Sequence, residues 1–269
     1  MKMVCYCADD YALNNQISDA VCMLLQKNAI QATSCMTQSP FWNEHANKLL
    51  QLQNESIHLF EIGLHVNFTH TFDSRENLHF SLSELMQKAW LRTLNQKEIK
   101  YSIEQQWNLF TEVMGKAPDF IDGHQHVHQF PVIREILFSF LKEKNFKGWI
   151  RNLNHTISVP KYKFKNKVLE FLGADATYKL GQKNHISSNP YFSGIYDFNH
   201  TNYAELTRLW LNKAQNKTLI MCHPATHQSN QSDEIQNARV HEYQYLNSDQ
   251  FIQDCQDFNI QLKPMGTML

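Results

Sequence analysis

The stretch KMVCYCADD, residues 2–10, decides the fold class of this chain. Its first six residues predict a short strand, and two carboxylates, Asp9 and Asp10, come soon after it. Apolar residues then recur at helical spacing at Ile17, Val21 and Leu24, which predicts an amphipathic helix over residues 15–27. A strand, a pair of acids and a helix in this order are typical of one β-α unit of a parallel sheet.

The same alternation continues along the chain. Further strands are predicted at residues 33–37, 58–64, 120–122, 148–150 and 219–222. Further helices are predicted at residues 42–52 and 103–114, from Pro131, around 206–210 and from Ser248. Residues 66–100 and 224–247 are interpreted as long loops, and residues 152–200 as irregular. Without an internal repeat or a linker, the pattern favours a single α/β domain over residues 1–269.

Composition excludes several classes of protein. The 25 Lys and Arg residues balance 26 Asp and Glu residues, so the basic excess of a nucleic-acid binder is missing. No apolar run approaches the ~20 residues of a membrane span. The N-terminus resembles neither a signal nor a transit peptide, and the six cysteines form no CxxC pair. We therefore expect reduced thiols, no thiolate metal cluster and a cytoplasmic protein that binds neither nucleic acid nor membrane.

Polar clusters follow four of the predicted strands. They are Asp9-Asp10, the end of Gly63-Leu64-His65, the segment DGHQHVH at residues 122–128, and CHPATH at residues 222–227. Ligands of parallel α/β folds bind beyond the carboxyl ends of the strands. The four clusters are therefore expected to meet on one rim, although they are distant in sequence.

The residue types in these clusters predict a metal site. Asp9 and Asp10 leave an extended strand in opposite directions, so one could bind a metal while the other holds a proton; one could instead cap the next helix. His124, His126 and His128 alternate, and imidazole is a common metal ligand. The sequence alone does not select which histidine binds. Without a thiolate, a His/His/Asp site with open positions would activate water, with Asp9 and His223 as candidate base and acid.

These motifs resemble one family. CADDYAL at residues 7–13, GLHVN at residues 63–67, DGHQHVH at residues 122–128 and MCHPA at residues 221–225 resemble the NADDFGL, GLHLT, DSHHHVH and MCHPG segments of the YdjC/ChbG-like carbohydrate deacetylases. SGIYDF at residues 193–198 also resembles a family segment. The motifs occur in family order over about four-fifths of the chain. Cys7, Tyr11-Ala12 and Gln125 depart from the family pattern, and none of them replaces a proposed ligand.

The resemblance implies a distorted (β/α) barrel of about seven strands, TIM-like and related to the polysaccharide deacetylases. It implies hydrolysis of the acetamide of N-acetylated sugars, such as chitooligosaccharides, with one divalent metal ion. By position, Asp10, His65 and His124 become the metal ligands, Asp9 the base and His223 the acid. The family implies Mg²⁺, although Zn²⁺ or Mn²⁺ suits two imidazoles. A homodimer is possible for such a barrel.

Weaker predictions concern the substrate. Arg151, after a predicted strand, could orient Asp9 or contact substrate, and His126 and His128 are further candidates for substrate contact. Trp90, Tyr191 and Phe192 could stack on sugar rings, although core packing is the commoner fate of an aromatic residue.

Two other functions are open. A metal-dependent phosphoesterase could use the same rim, but such sites often hold two metals and need more bridging carboxylates. A sugar-binding barrel without catalytic activity would not need a base, an acid and a metal together.

Overall fold

The computed structural model describes residues 1–72, 77–229 and 233–269. Eight strands lie in these ranges: β1 (Lys2–Tyr11), β2 (Ala32–Cys35), β3 (Glu61–Val66), β4 (Phe120–Gly123), β5 (Trp149–Ile150), β6 (Tyr191–Ser193), β7 (Thr218–Cys222) and β8 (Ile260–Leu262). The α-helices are α1 (Asn15–Gln26), α2 (Trp42–Glu55), α3 (Leu82–Trp90), α4 (Gln96–Met114), α5 (Ile133–Glu143), α6 (Lys163–Leu169), α7 (Asp175–Lys183), α8 (Tyr203–Lys213), α9 (Gln236–Leu246) and α10 (Asp249–Asp257).

The strands form one parallel sheet in the order β5-β4-β3-β2-β1-β7-β6, and β8 pairs with the start of β1. Two isolated parallel bridges, Ile150 with Ser188 and Thr156 with Phe192, link the two edges of this curled sheet. The predicted distorted (β/α) barrel of about seven strands is therefore confirmed. Because every strand runs in the same direction, all the carboxyl ends lie on one rim.

The apolar stripe of the first helix is buried as predicted, but the residue that caps the helix is neither Asp9 nor Asp10. Asn14 caps α1, because its side-chain oxygen accepts a hydrogen bond from the backbone N–H of Ile17. Ile17, Val21 and Leu24 are fully buried against the sheet. Burial of each such side chain contributes roughly 1.5–3 kcal/mol, so the apolar stripe fixes α1 on the sheet.

The end of β1 departs from regular extended backbone. Asp10 has a φ of 65°, and the pairing of β1 with β2 shifts register between Ala8 and Tyr11. Successive side chains therefore do not simply alternate across the sheet here. Asp9 and Asp10 both line the cavity at the rim, where regular extended backbone predicts opposite directions.

The prediction of two long loops is wrong over much of their length. Residues 66–100 contain α3 and the start of α4, and residues 224–247 contain α9. Residues 152–200 hold α6, α7 and β6 instead of irregular chain, and β8 was not predicted. Part of each predicted loop, residues 73–76 and 230–232, lies outside the described residues.

No helix within the described ranges is both long enough and apolar enough to cross a bilayer.

Candidate active site and metal centre

A cavity of about 460 Å³ opens at the carboxyl ends of the strands. The catalytic and metal-binding residues predicted from the sequence all line it: Asp9, Asp10, His65, His124 and His223. They come from β1, β3, the turn after β4 and the residue after β7. The strand-end clusters therefore converge on one rim, as their positions in a parallel sheet predict.

Asp10, His65 and His124 form the centre of the site. The Asp10 Oδ1 atom lies 2.9 Å from Nδ1 of His124 and 3.3 Å from Nε2 of His65. One ligand atom from each residue lies within 4.8 Å of the other two. This set of one carboxylate oxygen and two imidazole nitrogens suits a divalent cation.

His65 is oriented from behind by two oxygens. Its Nδ1 lies 2.6 Å from Oδ1 of Asp122 and 2.5 Å from Oγ of Ser34. A proton on Nδ1 leaves Nε2 as the nitrogen that faces Asp10, and a carboxylate behind a histidine is a common support for a metal ligand. Burial lowers the pKa of His65, but Asp122 and Asp10 outweigh it and raise the pKa to about 10. A cation bound at Nε2 would therefore displace a proton.

Asp9 is held on both oxygens by one arginine. The two terminal nitrogens of Arg151 donate to Oδ1 and Oδ2 of Asp9, each at 2.6 Å. Arg151 is fully buried and also forms an ion pair with Asp122 at 2.7 Å. A bidentate arginine fixes the plane of a carboxylate as well as its charge. Arg151 therefore orients Asp9, and through Asp122 it connects Asp9 to the support of His65.

His223 lines the same cavity as the three candidate ligands. Its Nε2 is 3.9 Å from Oδ2 of Asp9, and its ring packs edge-on against Phe198. The backbone N–H of His223 donates to Glu242 at 2.5 Å. Burial lowers the pKa of His223 to about 4, despite the opposing effect of the nearby acids, so the imidazole is neutral at pH 7.

A second group of acidic and thiol side chains, Cys7, Asp9 and Asp122, also lies close together. Arg151 occupies this group, because its guanidinium contacts both carboxylates and lies 3.1 Å from the Cys7 sulfur. Because this guanidinium already occupies the space between the two carboxylates, Asp10, His65 and His124 are the group among the described residues that better fits a cation.

Comparison with known proteins identifies the family. A family model described as YdjC-like protein matches residues 3–257. This chain belongs to the YdjC-like family. The resemblance seen in its motifs is thereby confirmed.

Curated relatives of this YdjC-like chain are named chitooligosaccharide deacetylases. Those from Yersinia pestis and Yersinia pseudotuberculosis are 25% identical over 232 residues, which cover 83% of this chain and 82% of theirs. The fold is similar to a crystal structure from Enterococcus faecalis V583, provisionally described as a cellobiose-phosphate cleavage protein. That match has a TM-score of 0.70 and 17% identity and covers 99% of this chain and 98% of the other.

The alternating histidines of this YdjC-like chain separate in a turn. Gln125 and His126 have positive φ values of 51° and 60°, so the three rings do not share one face. His124 faces Asp10, and His126 is buried but still lines the cavity. His128 is fully buried, and its Nε2 lies 3.0 Å from the carbonyl oxygen of Arg151. His128 therefore supports the backbone of Arg151 and does not line the cavity.

The other residues predicted to contact substrate do not line the cavity. Arg151 does not line the cavity and is fully buried, so its placement suits orientation of Asp9 and not contact with substrate. Phe192 is fully buried and packs against the ring of His126 and the guanidinium of Arg151. Trp90 ends α3, packs edge-on against Phe130 and does not line the cavity. Tyr191 is absent from that lining as well.

Two important residues of the site, Arg239 and Glu242, were not found from the sequence. Both lie on α9, where a loop was predicted. One terminal nitrogen of Arg239 donates to Oδ2 of Asp10 at 2.7 Å, and its Nε donates to Asp233 at 2.6 Å. Glu242 is fully buried and accepts from Tyr196 Oη and from the backbone of His223. One face of α9 therefore supports both Asp10 and His223.

Arg239 also affects the charge of Asp10. Burial alone would raise the pKa of Asp10, but Arg239 and His124 outweigh burial and hold that pKa well below its usual range. Asp10 is therefore ionised at neutral pH, as a metal ligand must be.

Proposed function

We propose that this protein is a metal-dependent hydrolase that removes acetyl groups from N-acetylated sugars of the chitooligosaccharide type. The observation that carries the proposal is the convergence of Asp10, His65 and His124 beside Asp9 and His223 in one cavity. The names of the curated relatives support the choice of substrate class.

Asp10, His65 and His124 would hold the cation. A divalent ion at such a site polarises the carbonyl of an acetamide and makes water a better nucleophile. Mg²⁺ is the first ion to test, because the family resemblance implies it. Two imidazole ligands also suit Mn²⁺ and Zn²⁺.

Asp9 is proposed as the general base. It would take a proton from water as that water attacks the acetyl carbon. Arg151 holds the carboxylate plane fixed, so Asp9 keeps one orientation towards the cavity. A positioned base typically contributes 10²–10⁴-fold in rate.

His223 is proposed as the acid that protonates the departing sugar nitrogen when the carbon–nitrogen bond breaks. Because His223 is neutral at pH 7, it must receive that proton during the reaction. Asp9 is a nearby source, since its Oδ2 lies 3.9 Å from Nε2 of His223. In this scheme the proton removed from water reaches the amine through Asp9 and His223, and acetate leaves with the second product, a free amino sugar.

The described residues support deacetylation over two-metal phosphoester hydrolysis. In the second group of close acidic side chains, both Asp9 and Asp122 already pair with the Arg151 guanidinium. A pair of bridged metals would need free carboxylates at that position.

The test is release of acetate from diacetylchitobiose. Wild-type protein, stripped with chelator and then supplied separately with Mg²⁺, Mn²⁺ or Zn²⁺, is expected to release acetate and an equal amount of free amine. A phosphorylated sugar and a simple phosphodiester serve as rival substrates. Sugar binding without acetate release would instead indicate a non-catalytic barrel, and phosphate release would indicate a phosphoesterase.

Location in the cytoplasm is proposed from the sequence, and a homodimer is proposed from the family resemblance alone. All six cysteines lie in the described ranges and are free thiols, which fits a reducing compartment. Size-exclusion chromatography with light scattering would determine the oligomeric state.

A further inference from the structure

The carboxylate of Asp10 is divided between two kinds of partner. Its Oδ1 faces the imidazoles of His65 and His124, at 3.3 and 2.9 Å. Its Oδ2 is taken by Arg239 at 2.7 Å. A carboxylate can bind a cation through one oxygen or through both, and here a guanidinium already occupies the second oxygen.

We propose that Arg239 is a positioning residue that restricts Asp10 to one-oxygen binding of the cation. This inference rests on the proposed metal site. Restriction to one oxygen keeps a coordination position open for water or for the substrate carbonyl. A catalytic metal needs such open positions, whereas a structural metal does not.

Burial and a second ion pair hold the Arg239 side chain in place. It is buried, with about 3% of its surface exposed, and its Nε is anchored by Asp233 at 2.6 Å. The anchor Asp233 lines the cavity and precedes the first turn of α9. Helix α9 therefore holds, through Arg239, a single oxygen of Asp10.

The test uses Mn²⁺ as the probe. Mn²⁺ affinity is measured by calorimetry, and water on the bound ion is measured by proton relaxation. In Arg239→Met both oxygens of Asp10 become available and a nearby positive charge is lost. We expect Mn²⁺ affinity no weaker than that of wild type, lower water relaxation, and acetate release reduced by about 10–100-fold at saturating Mn²⁺.

Arg239→Lys separates geometry from charge. Lysine keeps the charge near Asp233, but its side chain ends about one bond short of the nitrogen that reaches Asp10. A smaller effect of bound Mn²⁺ on the relaxation of water protons is therefore expected in this variant as well. The Arg239→Lys variant decides the question if Arg239→Met does not fold. Arg208→Met is the matched control. Arg208 also pairs with a buried carboxylate, that of Asp254, at a distance of 2.8 Å, and neither residue lines the cavity.

Unchanged water relaxation in both variants, or Mn²⁺ binding at least about tenfold weaker in a folded Arg239→Met, would overturn the inference. Wild-type protein that binds Mn²⁺ but releases no acetate would refute the deacetylase proposal alone, because the Mn²⁺ comparison still decides the role of Arg239. Wild-type protein that binds no Mn²⁺ would refute the inference along with the metal site.

Discussion

Asp9 and Asp10 are neighbours in sequence, yet their surroundings differ. Each is buried and each pairs with one arginine. Arg151 takes both oxygens of Asp9, whereas Arg239 takes only one oxygen of Asp10 and leaves the other to two imidazoles. In the half of the site around Asp9, both carboxylate oxygens are therefore occupied by a guanidinium, whereas in the half around Asp10 one oxygen stays available for a cation.

The difference shows that two adjacent acids can be given different surroundings by their partners. The bulge at Asp10 turns both carboxylates towards one cavity, and the two arginines then distinguish them. The Asp9 half is expected to matter for proton transfer and for stability. The Asp10 half is expected to matter for metal binding.

Substitution of Asp10 is expected to have the largest effect. Asp10→Ala removes the only carboxylate among the three candidate ligands, so Mn²⁺ binding should be lost. Loss of metal catalysis is worth several kcal/mol, or about a thousandfold in acetate release. Calorimetry and the acetate assay measure the two effects, and retained Mn²⁺ affinity would show that the ligand set is wrong.

Asp9→Asn is expected to lower acetate release without weakening Mn²⁺ binding. The amide cannot accept a proton from water, so acetate release should fall by about 10²–10⁴-fold. Mn²⁺ affinity should stay close to the wild-type value, because Asp9 contacts Arg151 and not the candidate ligands. Asp19→Asn on the exposed surface of α1 is the control. Undiminished activity in Asp9→Asn would rule out Asp9 as the base.

The strand ends explain why much of the site is predictable from the sequence. Short runs such as residues 219–222 predict strands, and parallel strands bring Asp10, His65, His124 and His223 to the same rim. The direction of each side chain is less predictable. The bulge at Asp10 and the turn at Gln125 and His126 depend on positive φ values in residues other than glycine. Nothing in the local sequence required these values, so the surrounding structure imposes them.

Helix α9 was missed for a physical reason. It buries Arg239 and Glu242 together with Ala238, Tyr245 and Leu246, so its inner face lacks the apolar repeat that predicts a helix. A helix that supports an active site buries polar groups, and such burial obscures its own signal. For α3 a signal was present, since Ser81 caps the helix and Glu84 stands three residues later.

Arg151→Met should show that the Asp9 half also supports the fold. The substitution leaves Asp9 and Asp122 buried without their cation, which typically costs about 3–5 kcal/mol. Urea unfolding measures this loss, with Arg92→Met at an exposed ion pair as the control. Arg239→Met should lose less, and added Mn²⁺ should restore part of its stability, because a cation can neutralise Asp10. Equal losses that Mn²⁺ does not change would remove the distinction between the two arginines.

The smallest expected effect concerns Glu242 and its dependence on pH. Burial raises the pKa of Glu242 from 4.5 to about 7, so the folded state prefers the protonated form. The stabilising contribution of this group is complete below about pH 4.5 and is lost as pH rises through 7, by up to about 3 kcal/mol. Glu242→Gln cannot ionise, yet its oxygen can accept from the backbone of His223 while its amide donates to Tyr196. The free energy of unfolding of wild type relative to this variant should therefore fall between pH 5 and pH 8.

Glu112→Gln, on the exposed face of α4, should show no such trend. A difference that is constant across this range would mean that Glu242 stays ionised in the fold, held by its two donors.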